Sequence, residues 1–347
     1  MTNSPLQQHA DFAQFLKVLT RTGVPTHLPC YEHVASPGFI ARRMGVPFQQ
    51  MTMDDEIYWE TYVGFWLGMG FDCVPIEIPL NCPLPSGHGA TSEESEAKVV
   101  FRTLAEAEAY PWPDDAHPLD FRHYETAARY LPAGVKLVAG VCAGPYEWAS
   151  MMLGTVGLSY ALADEPELVE YVFARIGRLH TSAVRQLATM DAIGALRQGD
   201  DLGFKSSTFL PPALLRQFVF PTYRAMVDLA HAQGKPFILH SCGNLAEVYD
   251  DLVDIGIDAK HSFEDIILPV EEFKRQYGTR MTPLGGLDVD TICRSDEASL
   301  RAYTRHKVEQ CFADGYWAIG TGNSLTDYMP VENYLIVLDE ARRMTTG

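Results

Sequence analysis

Short apolar runs alternate with long amphipathic stretches along most of the chain, and each short run ends in polar, Gly or Pro residues. Runs of roughly four to eight apolar or β-branched residues bounded by turn residues are typical of strands buried on both faces. Eight such runs occur, at residues 25–31, 73–78, 136–142, 195–199, 236–240, 258–261, 281–285 and 317–320. We therefore predict about eight β-strands.

Segments with helical periodicity lie between the predicted strands, and several of them begin at Ser, Asp or Pro. Glycines stand just after several of these segments, where a helix favours a left-handed residue at its end. The clearest segments cover residues 166–189, 212–233, 245–255, 269–277, 297–313 and 331–343. Strand and helix thus alternate from about residue 190 onward, which implies parallel strands joined by right-handed crossovers.

Eight such units favour a closed (β/α)8 barrel of the TIM type over an open doubly wound sheet, so the predicted fold class is α/β. No Gly-x-Gly-x-x-Gly follows an early strand, which disfavours a dinucleotide-binding fold. We interpret residues 1–347 as a single domain, since such barrels often exceed roughly 250 residues. Residues 1–23 are expected to form an N-terminal helical extension. Residues 79–97 are expected to form a long loop after the second strand, of the kind that covers active sites.

The composition excludes several classes of partner. The 347 residues are 47% apolar and carry a formal net charge of -18. Nucleic acids and anionic membranes both need a basic face, so neither is an expected partner. Seven cysteines without framework spacing suggest reduced thiols. The N-terminus lacks a signal-peptide pattern and no window approaches roughly 18 apolar residues, so we expect a cytoplasmic protein.

The most informative motif follows the fifth predicted strand, where the sequence reads Leu-His-Ser-Cys-Gly-Asn. In a (β/α)8 barrel the active site lies at the C-terminal ends of the strands. His240 and Cys242 are two residues apart, and residues i and i+2 of a strand point to the same side. The pair therefore forms half of a candidate zinc site. The alternative is a pair of packed core side chains.

Two adjacent acids, Asp200 and Asp201, follow the fourth predicted strand. Only one of two neighbouring strand residues can face the barrel axis. That carboxylate is a candidate for binding substrate or metal, because Gly199 and Gly203 leave little side-chain bulk around it. The alternative is an aspartate that caps the following turn. The sequence leaves open which of the two points inward.

His261 ends the next predicted strand and is expected near His240, because neighbouring strands lie about 4.8 Å apart. It is a candidate general base or further metal ligand, and equally a hydrogen-bond partner of such a group. Other polar residues follow the remaining strands: Glu32, His33, Glu77, Cys142, Tyr146, Glu147, Asp265, Asp288, Asn323 and Asp327.

Four motifs carry a family resemblance: Asp-Asp-Leu-Gly at 200–203, Leu-His-Ser-Cys-Gly-Asn at 239–244, Leu-Gly-Gly-Leu-Asp at 284–288 and Gly-Thr-Gly-Asn-Ser at 320–324. In these motifs the chain resembles the uroporphyrinogen decarboxylase superfamily. That superfamily includes the decarboxylases of haem biosynthesis and zinc-dependent, corrinoid-linked methyltransferases. The resemblance is best from about residue 199 to 343. It implies a (β/α)8 barrel, an enzyme and a homodimer.

The N-terminal region separates the two branches. The decarboxylases carry an arginine-rich segment that binds substrate carboxylates, whereas this chain has Leu-Pro-Cys-Tyr-Glu-His at 28–33. A porphyrinogen needs several cations around its carboxylates. The leading hypothesis is therefore methyl transfer between a small O-, N- or S-methyl compound and a corrinoid carried by a partner protein. The alternatives are a metal-free carboxy-lyase acting on a tetrapyrrole, and a non-catalytic barrel that binds a small ligand or a corrinoid.

The methyltransferase branch also implies a ligand set for Zn²⁺. Its His-x-Cys pair matches His240 and Cys242, and its second Cys, in the last βα turn, matches Asn323. An amide is a poor zinc ligand beside a thiolate. Glu77 is one candidate for the third ligand, and the others are Glu32, Asp200, Asp201 and His261. Catalytic roles are expected for Asp200, Asp201, His261 and Asn323.

Overall fold

Six parallel strands form one sheet in the order in which they occur along the chain, in a computed structural model that describes residues 10–84 and 99–345. The strands are β1 (Cys73–Pro79), β2 (Lys136–Cys142), β3 (Ile193–Gly199), β4 (Phe237–His240), β5 (Ala259–His261) and β6 (Thr282–Leu284). Two further segments extend this sheet through single parallel bridges, from Leu284 to Ala318 and from Ile319 to Cys30. The segment around Cys30 then meets the start of β1, where His27 pairs with Asp72 at 3.0 Å.

Helices cover the outside of the strands, except for α1, which lies at one end of the ring. The helices before β2 are α1 (Phe12–Thr20), α2 (Pro37–Met44), α3 (Glu56–Gly68), α4 (Leu104–Ala109) and α5 (Arg122–Ala128). Those between β2 and β4 are α6 (Pro145–Leu153), α7 (Thr155–Asp164), α8 (Pro166–Ala188) and α9 (Phe220–His231). The remainder are α10 (Tyr249–Ile255), α11 (Val270–Tyr277), α12 (Val289–Arg294), α13 (Glu297–Cys311) and α14 (Val331–Thr345). Within the described ranges, none of the helices has both the length and the apolar character that crossing a membrane requires.

The interior of the ring holds an apolar layer with one residue from each of the eight segments. These residues are Tyr31, Cys73, Val138, Ala195, Ile238, Ala259, Leu284 and Ala318. Helix α1 packs against this layer with its buried face, which consists of Phe12, Phe15, Val18 and Leu19. The helix thus covers the N-terminal end of the ring, and the C-terminal end carries the polar residues. This arrangement confirms the predicted α/β barrel.

Several predicted elements differ in extent. Segments 25–31 and 317–320 make isolated bridges instead of regular strands, and Pro25 and Pro29 lack the N–H that a ladder needs. The predicted helix 212–233 is divided by a π-helical turn, Leu215–Val219, which directly precedes Pro221 in the first turn of α9. Proline cannot donate its backbone hydrogen bond, so the helical pattern changes there. Residues 1–9 of the predicted N-terminal extension and 85–97 of the predicted loop lie outside the described residues.

The buried Glu32 joins the first segment of the ring to the last. Its carboxylate accepts hydrogen bonds from the N–H and the hydroxyl of Thr321, both at 2.6 Å, and from the hydroxyl of Tyr334 at 2.7 Å. Burial nevertheless raises the pKa of Glu32 to about 7, because desolvation of the charge outweighs these three donors. Glu32, named among the candidate ligands, therefore links the first and last segments of the barrel.

Loss of the α1 contact should destabilise the barrel. Phe15 is fully buried and its ring stacks on Tyr31 at 5.6 Å, so Phe15→Ala leaves a cavity beneath the apolar layer. We expect the free energy of unfolding in urea to fall by about 3–5 kcal/mol. Phe204→Ala is the matched control, because that ring is 59% exposed, and its effect should stay within about 0.5 kcal/mol. Equal effects of the two substitutions would contradict the role assigned to α1.

Glu32 should make stability depend on pH. Its pKa of about 7 in the folded protein exceeds the ordinary value of 4.5. Between these two pH values the unfolded chain has released a proton that the folded protein retains. The free energy of unfolding should therefore fall as the pH rises through this window, by up to about 3 kcal/mol from this residue.

Glu32→Gln keeps an acceptor for Thr321 and Tyr334 but has no titrating group. Urea unfolding at pH 5 and pH 7.5 should show a smaller fall in stability for this variant than for the wild type. Glu170→Gln, an exposed position on α8, should retain the wild-type dependence. An identical pH dependence in Glu32→Gln and the wild type would rule out this assignment.

Candidate metal centre

His240 and Cys242 lie together at the C-terminal mouth of the barrel, on the last residue of β4 and in the turn that follows it. The distance from His240 Nε2 to Cys242 Sγ is 3.5 Å. The turn is tight because Gly243 has φ +86 and its Cα lies against the backbone of Gly203, where a Cβ would come within 2.1 Å. Only glycine fits this approach.

Asp201 supplies a carboxylate beside this pair. Its Oδ1 lies 3.8 Å from His240 Nε2 and accepts the backbone N–H of Cys242 at 2.9 Å. One ligand atom from each of Asp201, His240 and Cys242 lies within 4.8 Å of the other two. The Asp201 side chain is 43% exposed, so this side of the group faces the barrel mouth. Asp201 is therefore the inward aspartate, a question that the sequence left open.

Asp200, also predicted as a catalytic candidate, faces the opposite way. It is fully buried between β3 and the helices. Its carboxylate accepts the backbone N–H groups of Tyr146 and Glu147, at 3.1 and 2.9 Å, and the hydroxyl of Tyr223 at 2.8 Å. Burial still raises the pKa of Asp200 to about 7. Asp200 thus holds the N-terminal turn of α6 in place and does not line the mouth.

Glu77, predicted as a possible third ligand, is engaged elsewhere. Its Oε2 accepts from Arg197 Nη2 at 2.5 Å and lies 3.4 Å from His33 Nε2. Arg197 also donates to the carbonyl of His33. Sequence reasoning did not identify Arg197 as a buried cation. The signal was available, because Ala195, Arg197 and Gly199 alternate along β3 and share its inward face.

Two further imidazoles, those of His33 and His261, lie against His240. His33 stacks on His240, with ring centroids 3.8 Å apart, and His240 Nδ1 lies 2.7 Å from His261 Nδ1. His261 Nε2 lies 3.1 Å from the carbonyl oxygen of Thr321. Burial lowers the pKa of His240 well below its ordinary value and that of His261 to about 3, so both rings are neutral.

The hydrogen bonds fix the tautomers of these neutral rings. A carbonyl oxygen only accepts, so His261 carries its proton on Nε2 and donates it to Thr321. His261 Nδ1 is then an acceptor, which requires His240 to donate from Nδ1. His240 Nε2 consequently presents a lone pair toward Cys242 and Asp201. His261 therefore orients His240 and lies outside the ligand group itself.

Asn323 contacts the sulfur from the last βα turn. Its Nδ2 donates to Cys242 Sγ at 3.4 Å, and its Oδ1 accepts the Ser324 hydroxyl at 3.0 Å. Ser262 also donates to Cys242 Sγ, at 3.3 Å. Sequence reasoning did not select Ser262. Burial raises the pKa of the Cys242 thiol to about 12, so a bound cation is needed to favour its thiolate at neutral pH.

The donor set fits a zinc ion. Tetrahedral zinc with Zn–N of about 2.0–2.1 Å and Zn–S of about 2.3 Å places nitrogen and sulfur about 3.6 Å apart. The observed 3.5 Å between His240 Nε2 and Cys242 Sγ agrees with this value. The same geometry places a ligand oxygen about 3.4 Å from the ligand nitrogen. Asp201 Oδ1 lies 3.8 Å from His240 Nε2, so it would have to move about 0.4 Å closer. The exposed Asp201 side chain has room for that movement.

Three other candidate acids have structural partners. Asp265 pairs with the buried Lys307 at 3.2 Å. Asp288 caps α12 by accepting the N–H of Thr291 at 2.7 Å. Asp327 accepts the Ser36 hydroxyl at 2.6 Å. These contacts have structural roles and leave Asp201 as the acid of the ligand group.

Comparison with known proteins gives a family match over most of the chain. The model of the family described as uroporphyrinogen decarboxylase (URO-D) matches residues 13–344. No curated protein matches the chain.

Solved structures give a match in fold. A methyltransferase from Methanosarcina mazei aligns over 99% of both chains, with a TM-score of 0.73 and 17% identity. Xylanase B from Clostridium stercorarium F9 aligns over 68% of this chain and 87% of its own, with a TM-score of 0.38 and 10% identity. At 17% identity the methyltransferase likeness supports the fold, and the chemistry has to be argued from the site. The family match shows that the chain belongs to the uroporphyrinogen decarboxylase family.

Proposed function

We propose that the protein is a methyltransferase that moves a methyl group between a small O-, N- or S-methyl compound and a corrinoid carried by a partner protein. The observation that carries the proposal is the group formed by Asp201, His240 and Cys242 at the barrel mouth. Oxygen, nitrogen and sulfur donors in a group with one partly exposed side, here that of Asp201, are typical of catalytic zinc sites that keep a position for substrate.

Residues of the chain would have distinct roles in binding the metal and in orienting its ligands. Asp201, His240 and Cys242 would hold the metal, and the hydrogen bond from His240 to His261 fixes the orientation of the imidazole. When bound, zinc supplies Lewis acidity that binds a thiol or the heteroatom of a methyl donor and adjusts its reactivity. Arg197 and Glu77 form a neutral pair below the metal group.

The charges in the pocket argue against a substrate with many carboxylates. Arg197 is the cation that β3 places inside the barrel, and Glu77 already neutralises it. Asp201 adds negative charge at the mouth, and Glu147 lies close enough to interact with it. Neutral or cationic methyl compounds suit this surface better than a porphyrinogen does.

The loops at the mouth offer an apolar contact area for the partner. Phe204 and Phe209 follow β3, Ile266 follows β5 and Tyr328 follows the last segment of the ring, and all four side chains are exposed. Exposed aromatic and aliphatic groups around a pocket are typical of protein contact surfaces. A homodimer is part of the same proposal, and light scattering of the purified protein would measure it.

Metal content tests the first part of the proposal. Protein purified without added zinc should retain about one zinc per chain by elemental analysis. Cys242→Ser, His240→Ala and Asp201→Asn should each lose most of it, because each removes one of the three donors. Cys142→Ser is the matched control, since Cys142 also ends a strand but lies outside the ligand group, and it should retain zinc. Metal-free wild type, or equal zinc in Cys242→Ser, would contradict the proposal.

Methyl transfer tests the second part. Absorbance should report conversion between methylated and unmethylated corrinoid with at least one O-, N- or S-methyl donor, and Cys242→Ser should lower the rate at least about 100-fold. Turnover of uroporphyrinogen by the wild type would favour the carboxy-lyase instead. Ligand binding that changes in a His240, Cys242 and Asp201 triple variant, with no turnover of any donor, would favour a non-catalytic barrel.

A further inference from the structure

Besides Asp201, the sulfur of Cys242 has three polar neighbours. Two of these three are hydrogen-bond donors that cannot be zinc ligands in their present roles. His240 Nε2 lies on one side at 3.5 Å. The Ser262 hydroxyl donates at 3.3 Å, and the Asn323 amide donates at 3.4 Å. A thiolate accepts several such bonds because its charge is spread over a large, polarisable atom.

The Asn323 amide turns its NH2 group toward the sulfur and its oxygen toward Ser324. Ser324 donates its hydroxyl to Asn323 Oδ1 at 3.0 Å, which leaves the NH2 group for the sulfur. An amide oxygen turned toward a thiolate would place two acceptors in contact, which is unfavourable. A metal-bound Cys242 thiolate would therefore favour the donating orientation, in which Asn323 has no lone pair to offer a metal.

The second donor, Ser262, is held in a strained conformation. Its φ of +81 is rare for a residue with a side chain, and strain of this kind persists where the surroundings enforce it. The buried Lys260 enforces it by donating to the carbonyls of Ser241, His261 and Ser262, at 3.2, 3.3 and 2.5 Å. Lys260 thereby fixes the two turns that carry Cys242 and Ser262 relative to each other.

We propose that Asn323 and Ser262 are positioning residues that hydrogen-bond to a single metal-bound thiolate, Cys242, while the oxygen of Asp201 replaces a second sulfur ligand. The inference rests on the metal-binding part of the proposed function and does not depend on methyl transfer. It assigns this chain one oxygen, one nitrogen and one sulfur ligand. The two donors would draw electron density from the sulfur and so lower its nucleophilicity.

Cobalt(II) in place of zinc gives a direct readout of the sulfur, because cobalt–thiolate bonds produce an intense charge-transfer band. Metal-free wild type loaded with cobalt should show this band at the intensity of one thiolate. Ser262→Ala and Asn323→Ala should each move the band to lower energy, because the sulfur regains electron density. Each should also weaken cobalt affinity about 10-fold. Asn333→Ala, which removes an amide bonded to the Ile292 carbonyl, is the matched control and should change neither property.

Asn323→Cys provides the converse test, since a thiol at this position should bind the metal. The charge-transfer intensity should rise about twofold as a second cobalt–sulfur bond forms. An unshifted band in both alanine variants, or an unchanged intensity in Asn323→Cys, would overturn the inference. Wild type that binds no cobalt would overturn it together with the metal part of the proposed function. If the spectra are as expected but no methyl transfer is detected, the inference about Asn323 and Ser262 is supported and the methyltransferase proposal is contradicted.

Discussion

The strict alternation of side chains along parallel strands is the constraint on which the rest of the structure depends. In β3 it sends Ala195, Arg197 and Gly199 toward the barrel axis. Continued past the strand end, it sends Asp201 into the mouth and Asp200 out toward α6 and Tyr223. Two adjacent aspartates therefore have different roles, one in the ligand group and one at the start of a helix.

The register between strands brings the inward-facing side chains of neighbouring strands together at one site. His240 pairs in register with His261, and Gly199 pairs with His240, so three neighbouring strands end at one level. The small residue at Gly199 leaves space for the His33 ring, which lies 2.8 Å from where a Cβ would be. Burial keeps the imidazoles neutral, and the carbonyl of Thr321 sets the direction of their hydrogen bonds. Packing thus decides which nitrogen can bind a metal.

Part of this site could be predicted from the sequence. The i, i+2 spacing placed His240 and Cys242 on one face, and the position of His261 one strand later placed it beside His240. The same alternation would also have selected Asp201 and Arg197, had it been carried along β3 from Ala195. The choice between Glu77 and Asp201 could not be made, because it depends on the contact between Glu77 and Arg197 across 120 residues of chain.

Other features lay beyond sequence patterns for physical reasons. The positive φ of Ser262 arises from three carbonyl contacts with Lys260, and no local signal marks such a conformation. The first and last ring segments look like strands by composition, yet proline and short length reduce them to isolated bridges. Family resemblance aligned Asn323 with a ligand, and the structure places its amide within reach of the sulfur as a donor.

The central claim is that Asp201, His240 and Cys242 bind one metal ion. Anomalous diffraction at the zinc edge from crystals of the zinc-loaded protein tests it most directly. The account predicts a single strong peak at the barrel mouth, about 2.0–2.3 Å from His240 Nε2, Cys242 Sγ and an oxygen of Asp201. Absence of a peak there, or a peak coordinated by Glu77 or by the oxygen of Asn323 in place of Asp201, would contradict it.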